Sequence, residues 1–212
     1  MMLYKQCAVN IQKLENWIED YRKQGYRLIR VNPNIGRYEF AKSRVGEFLP
    51  KVRIDFRTFN KKDAYDDYLC LFEDSGWHCL YGSRSNGFQY FEQMHEGASD
   101  DIFSDSVSRA ARYKRLSTMW LTMLVPYIPI AAALNPTGVF GWHNVSDPKT
   151  LYLTPGLWEM SGAHFWRAFL FETPFVLLRA GFGGFFFLVI IAAFLYFLLK
   201  AAYLYKKEKK LR

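Results

Sequence analysis

Cysteine is scarce in this chain of 212 residues: Cys7, Cys70 and Cys79 are the three present, and none forms a CxxC pair. An odd number without framework spacing excludes a disulfide scaffold and reads as reduced thiols. Histidine is equally thin at four residues. Neither His143 nor His164 has a spacing suited to a metal, so no metal site is expected. No P-loop, GxGxxG or nucleophile–His–acid pattern occurs, and the chain is read as a non-enzyme without a cofactor. The opening MMLYKQCAVNIQKLENW has no apolar stretch, so no signal peptide is expected and later segments must direct any insertion.

What is present is a strong split in hydrophobicity. Residues 182–199 (FGGFFFLVIIAAFLYFLL) hold no charge, and AAYLY and the basic tail KKEKKLR follow Lys200. A run of that length nearly crosses a hydrocarbon core of roughly 30 Å, where only a helix satisfies its own backbone. Residues 117–134 (STMWLTMLVPYIPIAAAL) form a second uncharged run, with a kink expected at Pro126 and Pro129. The net charge of +8 is unevenly placed: residues 1–100 carry 15 basic and 14 acidic side chains, whereas 101–116 carry 4 and 2, and 180–212 carry 6 and 1. Basic residues on both flanks of the two runs predict a helical hairpin with both termini cytoplasmic, multi-pass in a bacterial cytoplasmic membrane.

Arg109, Arg112, Lys114 and Arg115 before the first run, and Lys206 and Lys207 after the second, are the expected membrane-surface residues. Anionic lipid attracts each by about 1 kcal/mol. The near-neutral N-terminal part argues against nucleic acid as a partner. Gly181, Gly183 and Gly184 leave a smooth patch suited to helix packing, within the chain or in a homo-oligomer. Between the runs, Leu157, Trp158, Ser161, Phe165, Ala168 and Phe169 follow helical spacing, as an interfacial or re-entrant helix would.

The first hundred residues divide into two similar halves. Residues 9–24 predict an amphipathic helix with Asn10 as N-cap, ended by Gly25; YRLIRV and RYEFAK then predict a hairpin. KVRIDFRTF alternates as a strand, 60–75 predict a second helix starting near Asn60 or Asp63, and WHCLYG and FQYFEQ a second hairpin. At an offset of 51 residues Gly25 falls on Gly76, Gly36 on Gly87 and Phe40 on Phe91, and Met2–Cys7 is placed on Arg53–Thr58. The expected fold is therefore an α+β domain, a tandem strand–helix–strand–strand repeat, followed by a two-helix transmembrane hairpin. Its segments are a domain over 1–100, a basic juxtamembrane helix over 101–116 capped by Ser104 or Asp105, and a first span over 117–134. An outer loop over 135–179, a second span over 180–205 and a tail over 206–212 complete the chain.

The tandem topology resembles the effector-binding (GyrI-like) domains of bacterial drug-responsive regulators, in which a pseudo-twofold cleft holds a small molecule around a buried acid. By that resemblance the candidate acid is Glu39, although alternation along its strand also fits an ordinary outward-facing position. Trp77, Tyr81 and Tyr90 are candidates to line such a cleft, against the plainer reading that they are core. The strings Val52-Arg-Ile-Asp-Phe, Tyr68-Leu-x-Leu-Phe-x-x-x-Gly76-Trp77, Tyr90-Phe91 and Ile102-Phe103-Ser104-Asp105 resemble a bacterial membrane family catalogued as domain of unknown function 2812, often encoded beside PadR-type regulators. That resemblance implies a regulatory setting and carries over no activity or catalytic residue. Two functions are consistent with it: a membrane-tethered regulatory or sensory protein whose cytosolic domain binds a small ligand or a protein, or an accessory subunit of a transporter or envelope complex. The partners expected are the lipid bilayer and a membrane or cytosolic protein.

Overall fold

Asn10 begins the first helix as its side chain suggests, with Oδ1 accepting from the Lys13 amide at 3.0 Å. In the computed structural model, which describes residues 1–134, 147–177 and 186–210, this is α1 (Ile11–Lys23). Its apolar stripe buries Ile11, Leu14 and Ile18, and Glu15 lies among them. Strand β1 (Met2–Tyr4) precedes it; β2 (Tyr26–Asn32) and β3 (Arg37–Lys42) follow. The second half repeats the order as β4 (Val52–Phe56), α2 (Lys62–Asp74), β5 (Trp77–Tyr81) and β6 (Phe88–Gln93). Each half closes its own antiparallel three-stranded sheet, with strand orders β1-β3-β2 and β4-β6-β5.

The internal repeat extends to details of register. Ile11 to Lys62, Tyr26 to Trp77 and Arg37 to Phe88, the first residues of matching elements, are each 51 residues apart. Leu28 pairs with Phe40 as Cys79 pairs with Phe91, and both hairpins are irregular just beyond, between Leu28 and Arg30 and between Cys79 and Tyr81. The opening strand departs from the expected alignment. Met2 faces Glu39 whereas Ile54, not Arg53, faces Tyr90, so the offset there is 52 and one extra residue lies between β1 and α1.

The halves are joined by a hydrogen bond between the Tyr38 and Tyr90 hydroxyls (3.0 Å) and by Arg27 donating to Glu92 (3.1 Å). Tyr68, Trp77 and Phe91 form the core under α2, with Phe59, Tyr65, Phe72 and Ile102 packed against them.

Helix α3 (Ser106–Leu124) starts on Asp105, whose Oδ1 accepts from the Val107 and Ser108 amides at 2.7 and 2.8 Å. The chain divides here into two compact units: Met1–Thr118 with Phe197–Arg212, and Met119–Tyr196. The second contains the end of α3, α4 (Tyr127–Leu134), 3-10 turns at Pro148–Leu151 and Leu157–Glu159, α5 (Gly162–Val176) and the start of α6 (Phe186–Lys210).

The expected transmembrane hairpin is not what forms. Among the described residues a single helix, Phe187–Lys210, whose most apolar 18 residues have a mean hydropathy of 2.3, is long and apolar enough to cross a membrane. Pro126 offers no amide donor and pushes the residue before it away from helical geometry. The run 117–134 is accordingly cut into the end of α3, whose first half is charged, and α4. Eight residues of helix in α4 reach only about 12 Å, well short of a bilayer core. A single candidate span likewise argues against the multi-pass arrangement with both termini cytoplasmic.

Two other boundaries shift. The outer helix begins at Gly162, after a 3-10 turn at Leu157–Glu159 flanked by Gly156 and Gly162 at φ +69 and +63. The basic tail is not a separate segment, because α6 continues through it to Lys210.

Candidate functional site

Charged groups buried deep in a small domain are expensive unless paired, so their positions mark where a fold has invested structure. Arg112 on α3 is the clearest case, with 1 % of its surface exposed. Its Nη1 donates to Glu15 Oε1 on α1 (2.7 Å) and to the Ile54 carbonyl on β4 (2.9 Å), and Nη2 donates to Gln12 Oε1 (3.2 Å). Glu208 on α6 approaches Nη2 at 3.9 Å. The rings of Phe103 and Tyr113 lie 5.5 and 5.2 Å from the guanidinium. Burial opposes its charge, but Glu15, Tyr113 and Glu208 more than offset this and hold the guanidinium above its ordinary range. Arg112 Nε has no hydrogen-bond partner.

A second pair lies one turn along α3. Arg115 donates from Nη2 to Asp55 Oδ1 and from Nε to the Phe56 carbonyl, both at 2.5 Å. The other oxygen of Asp55 accepts from the Tyr68 hydroxyl at 2.8 Å. Burial and the neighbouring Asp55 charge push that hydroxyl far above its ordinary pKa. Tyr113 completes the docking by accepting from the Gln12 amide at 3.1 Å. Four elements, α1, β4, α3 and the C-terminal half of α6, thus converge on one guanidinium, all within the first unit. The arrangement is suited to holding helices in place.

The structure redistributes the residues proposed from sequence. Of the expected membrane-surface set, Lys114, Lys206 and Lys207 are exposed, and Arg109 pairs with Asp101. Arg112 is instead interior, and Arg115 is spent on Asp55. Gly181, Gly183 and Gly184 lie outside the described residues, as does His143. Glu39 pairs with Arg37, the hydrogen bond from which holds its carboxyl below the usual range, and its neighbours Tyr38 and Phe40 point into the core. Trp77 is fully buried and donates Nε1 to Ser99 Oγ at 3.1 Å. Tyr90 is buried against Tyr38, and Tyr81 packs edge-on to Tyr90 at 6.0 Å. These four do not meet in one cleft.

Two cavities do open on the first unit, of about 310 and 250 Å3, and Asn10 and Lys13 line both. Gln12, Tyr113, Leu204, Lys207 and Glu208 line the larger; Lys5, Cys7, Phe197 and Lys200 line the smaller. Among the described residues no group of three or more His, Cys, Asp or Glu could hold a metal ion.

Sequence reasoning missed Glu15, Gln12, Asp55 and Glu208. Glu15 carried a signal, since it shares the stripe of Ile11, Leu14 and Ile18 at helical spacing, where an exposed acid does not belong. Asp55 carried none, because strict alternation along β4 places it opposite Ile54 and Phe56, yet all three are buried.

Compared with known families, residues 10–125 match one model, described as Protein of unknown function (DUF2812). No curated protein and no solved structure matches the chain.

Proposed function

The chain belongs to that family of unknown function, DUF2812, and within it we propose a membrane-tethered regulatory protein whose α+β domain binds a small ligand or a protein partner. The observation that carries this reading is the convergence on Arg112. The elements leading into and out of the apolar unit, α3 and α6, are both gripped by the domain through one buried cation. A domain clamped in this way transmits a change at its surface to the helices it holds, and that is the physical requirement for a sensor. The tether is the apolar α6, which buries only 6 % of its most apolar window within the protein. No catalytic step is proposed.

The test is a thermal-stability screen of the full chain in mild detergent, against metabolite mixtures and soluble lysate fractions. A reproducible upward shift with one compound or protein is expected. The absence of any shift, together with no co-purifying partner, would sink the reading.

One observation favours a second reading, an accessory subunit of a membrane transporter or envelope complex. Trp166, Leu170, Phe171 and Phe175 on α5 are all exposed, and neighbouring exposed apolar side chains of this size mark protein or membrane contacts. Purification in mild detergent decides it: a monomer without a stoichiometric partner counts against this alternative.

A further inference from the structure

The two cavities of the first unit share Asn10 and Lys13 and so adjoin, as a groove along the start of α1 and the C-terminal half of α6 with Lys13 between its two parts. Its charge is one-sided. Lys5, Lys13, Lys200 and Lys207 face it from three parts of the chain, against one carboxylate, Glu208, which is buried and turned toward Arg112. Burial, and then the nearby Lys13 charge, lower the pKa of Lys5 against the opposing effect of Asp20 and Cys7. The groove also has an apolar side, formed by Phe197 and Leu204. The first-turn amides of α1 do not contribute, since Asn10 and Tyr113 already satisfy those of Lys13 and Gln12.

Cations beside an apolar wall match a molecule that carries a phosphate and a hydrocarbon chain together. A soluble phosphate would use only the lysines. We propose that this groove binds the headgroup of an anionic phospholipid, with the phosphate held by Lys13 and Lys207 and the glycerol and upper acyl chain against Phe197 and Leu204. The inference rests on the membrane tether proposed above and adds its ligand. Position along α6 supports it: residues 186–199 are uncharged and Lys200 is the first charge after them, about 21 Å along the helix axis. The groove therefore opens where the apolar run gives way to charge, and cations at that border meet headgroups. Of the membrane-surface cations expected from sequence, Lys207 lines this groove, whereas Arg112 and Arg115 on α3 are used internally.

The experiment uses the full chain, first in flotation with neutral phosphatidylcholine liposomes and then in nanodiscs of phosphatidylcholine with and without phosphatidylglycerol. Retention of phosphatidylglycerol is read by native mass spectrometry, with K13Q/K207Q as the test variant. K61Q/K62Q, which loses the same charge outside the groove, is the control. Both groove lysines are exposed, so the fold is expected to survive, and matching melting temperatures check this. Loss of two headgroup contacts should weaken retention about thirty-fold, with the control unchanged. Equal retention in K13Q/K207Q, or equal loss in the control, overturns the proposal while flotation leaves the tether standing. Stabilisation by inorganic phosphate as strong as by the lipid overturns it in favour of a soluble anion. Failure to float with the phosphatidylcholine liposomes removes the tether and the proposal together.

Discussion

Replacing Arg112 by Met keeps most of the side chain's length and removes the guanidinium alone. Glu15 Oε1 then retains the Ile54 amide, at 2.9 Å, as a donor, and the Ile54 carbonyl and Gln12 Oε1 lose the guanidinium. Breaking a buried ion pair from one side costs about 3–5 kcal/mol, because the surviving charge stays desolvated. A domain of this size has roughly 5–15 kcal/mol to lose, so the variant should be folded but weakened by about 4 kcal/mol. R112K should recover little, since an ammonium cannot bridge Glu15, Ile54 and Gln12 with fixed geometry. R112M/E15M, which removes both charges, should lose less than R112M alone. The assay is urea unfolding of the full chain in mild detergent, followed by tryptophan fluorescence, to which Trp17 and Trp77 of the domain contribute. A loss under about 1 kcal/mol for R112M, near the value of an exposed pair, would refute the reasoning. Strict additivity in the double variant would do the same.

Gly87 has φ +88, and a Cβ there would meet the Phe56 ring at 2.6 Å, whereas Gly46, at φ +85, has no atom within 4 Å. G87A should therefore lose clearly more stability than G46A, whose cost is the backbone term of about 1–2 kcal/mol alone; equal melting shifts would discount the Phe56 contact. Y38F removes the hydroxyl bond between the two halves (3.0 Å). The expected cost is about 1 kcal/mol, checked by the urea midpoint at unchanged slope. Burial pushes the Cys7 and Cys79 thiols up to about 11, from an ordinary 9.0, so the folded state holds their protons more tightly than the unfolded chain. Their contribution is intact below pH 9 and is lost as pH rises to 11. Removing both thiols with C7A/C79A should flatten that part of the stability–pH curve, and an unchanged slope would contradict the assignment.

The repeated domain was legible because its signals are local. Asn10 capping α1, glycines at matching positions after each helix, and alternation in YRLIRV and FQYFEQ each act within a few residues. The slip at β1 was not legible, since a strand of three residues, Met2–Tyr4, holds too little pattern to set its own register. The first apolar run misled because composition counts residues while a span needs unbroken helix, and Pro126 interrupts it. Arg112 was the hardest to place. Nothing local distinguishes it from Arg109 three residues earlier, and its burial is decided by Glu15 and Ile54, 97 and 58 residues away in the chain. Trp77 and Tyr90 illustrate the converse, as aromatic density marked core and not a cleft.

The grip of the α+β domain on α6 is most directly tested by hydrogen–deuterium exchange of the full chain in nanodiscs, comparing the wild type with E208K. This substitution sets a cation against Arg112, which Glu208 now approaches at 3.9 Å, and leaves the Glu15–Arg112 bond in place. Amides of residues 197–210 should exchange about tenfold faster, the effect of a docking loss near 1.4 kcal/mol, while β3 and β6 keep their protection. Unchanged exchange across 197–210 would contradict the proposal that the domain holds the helix through this buried cation.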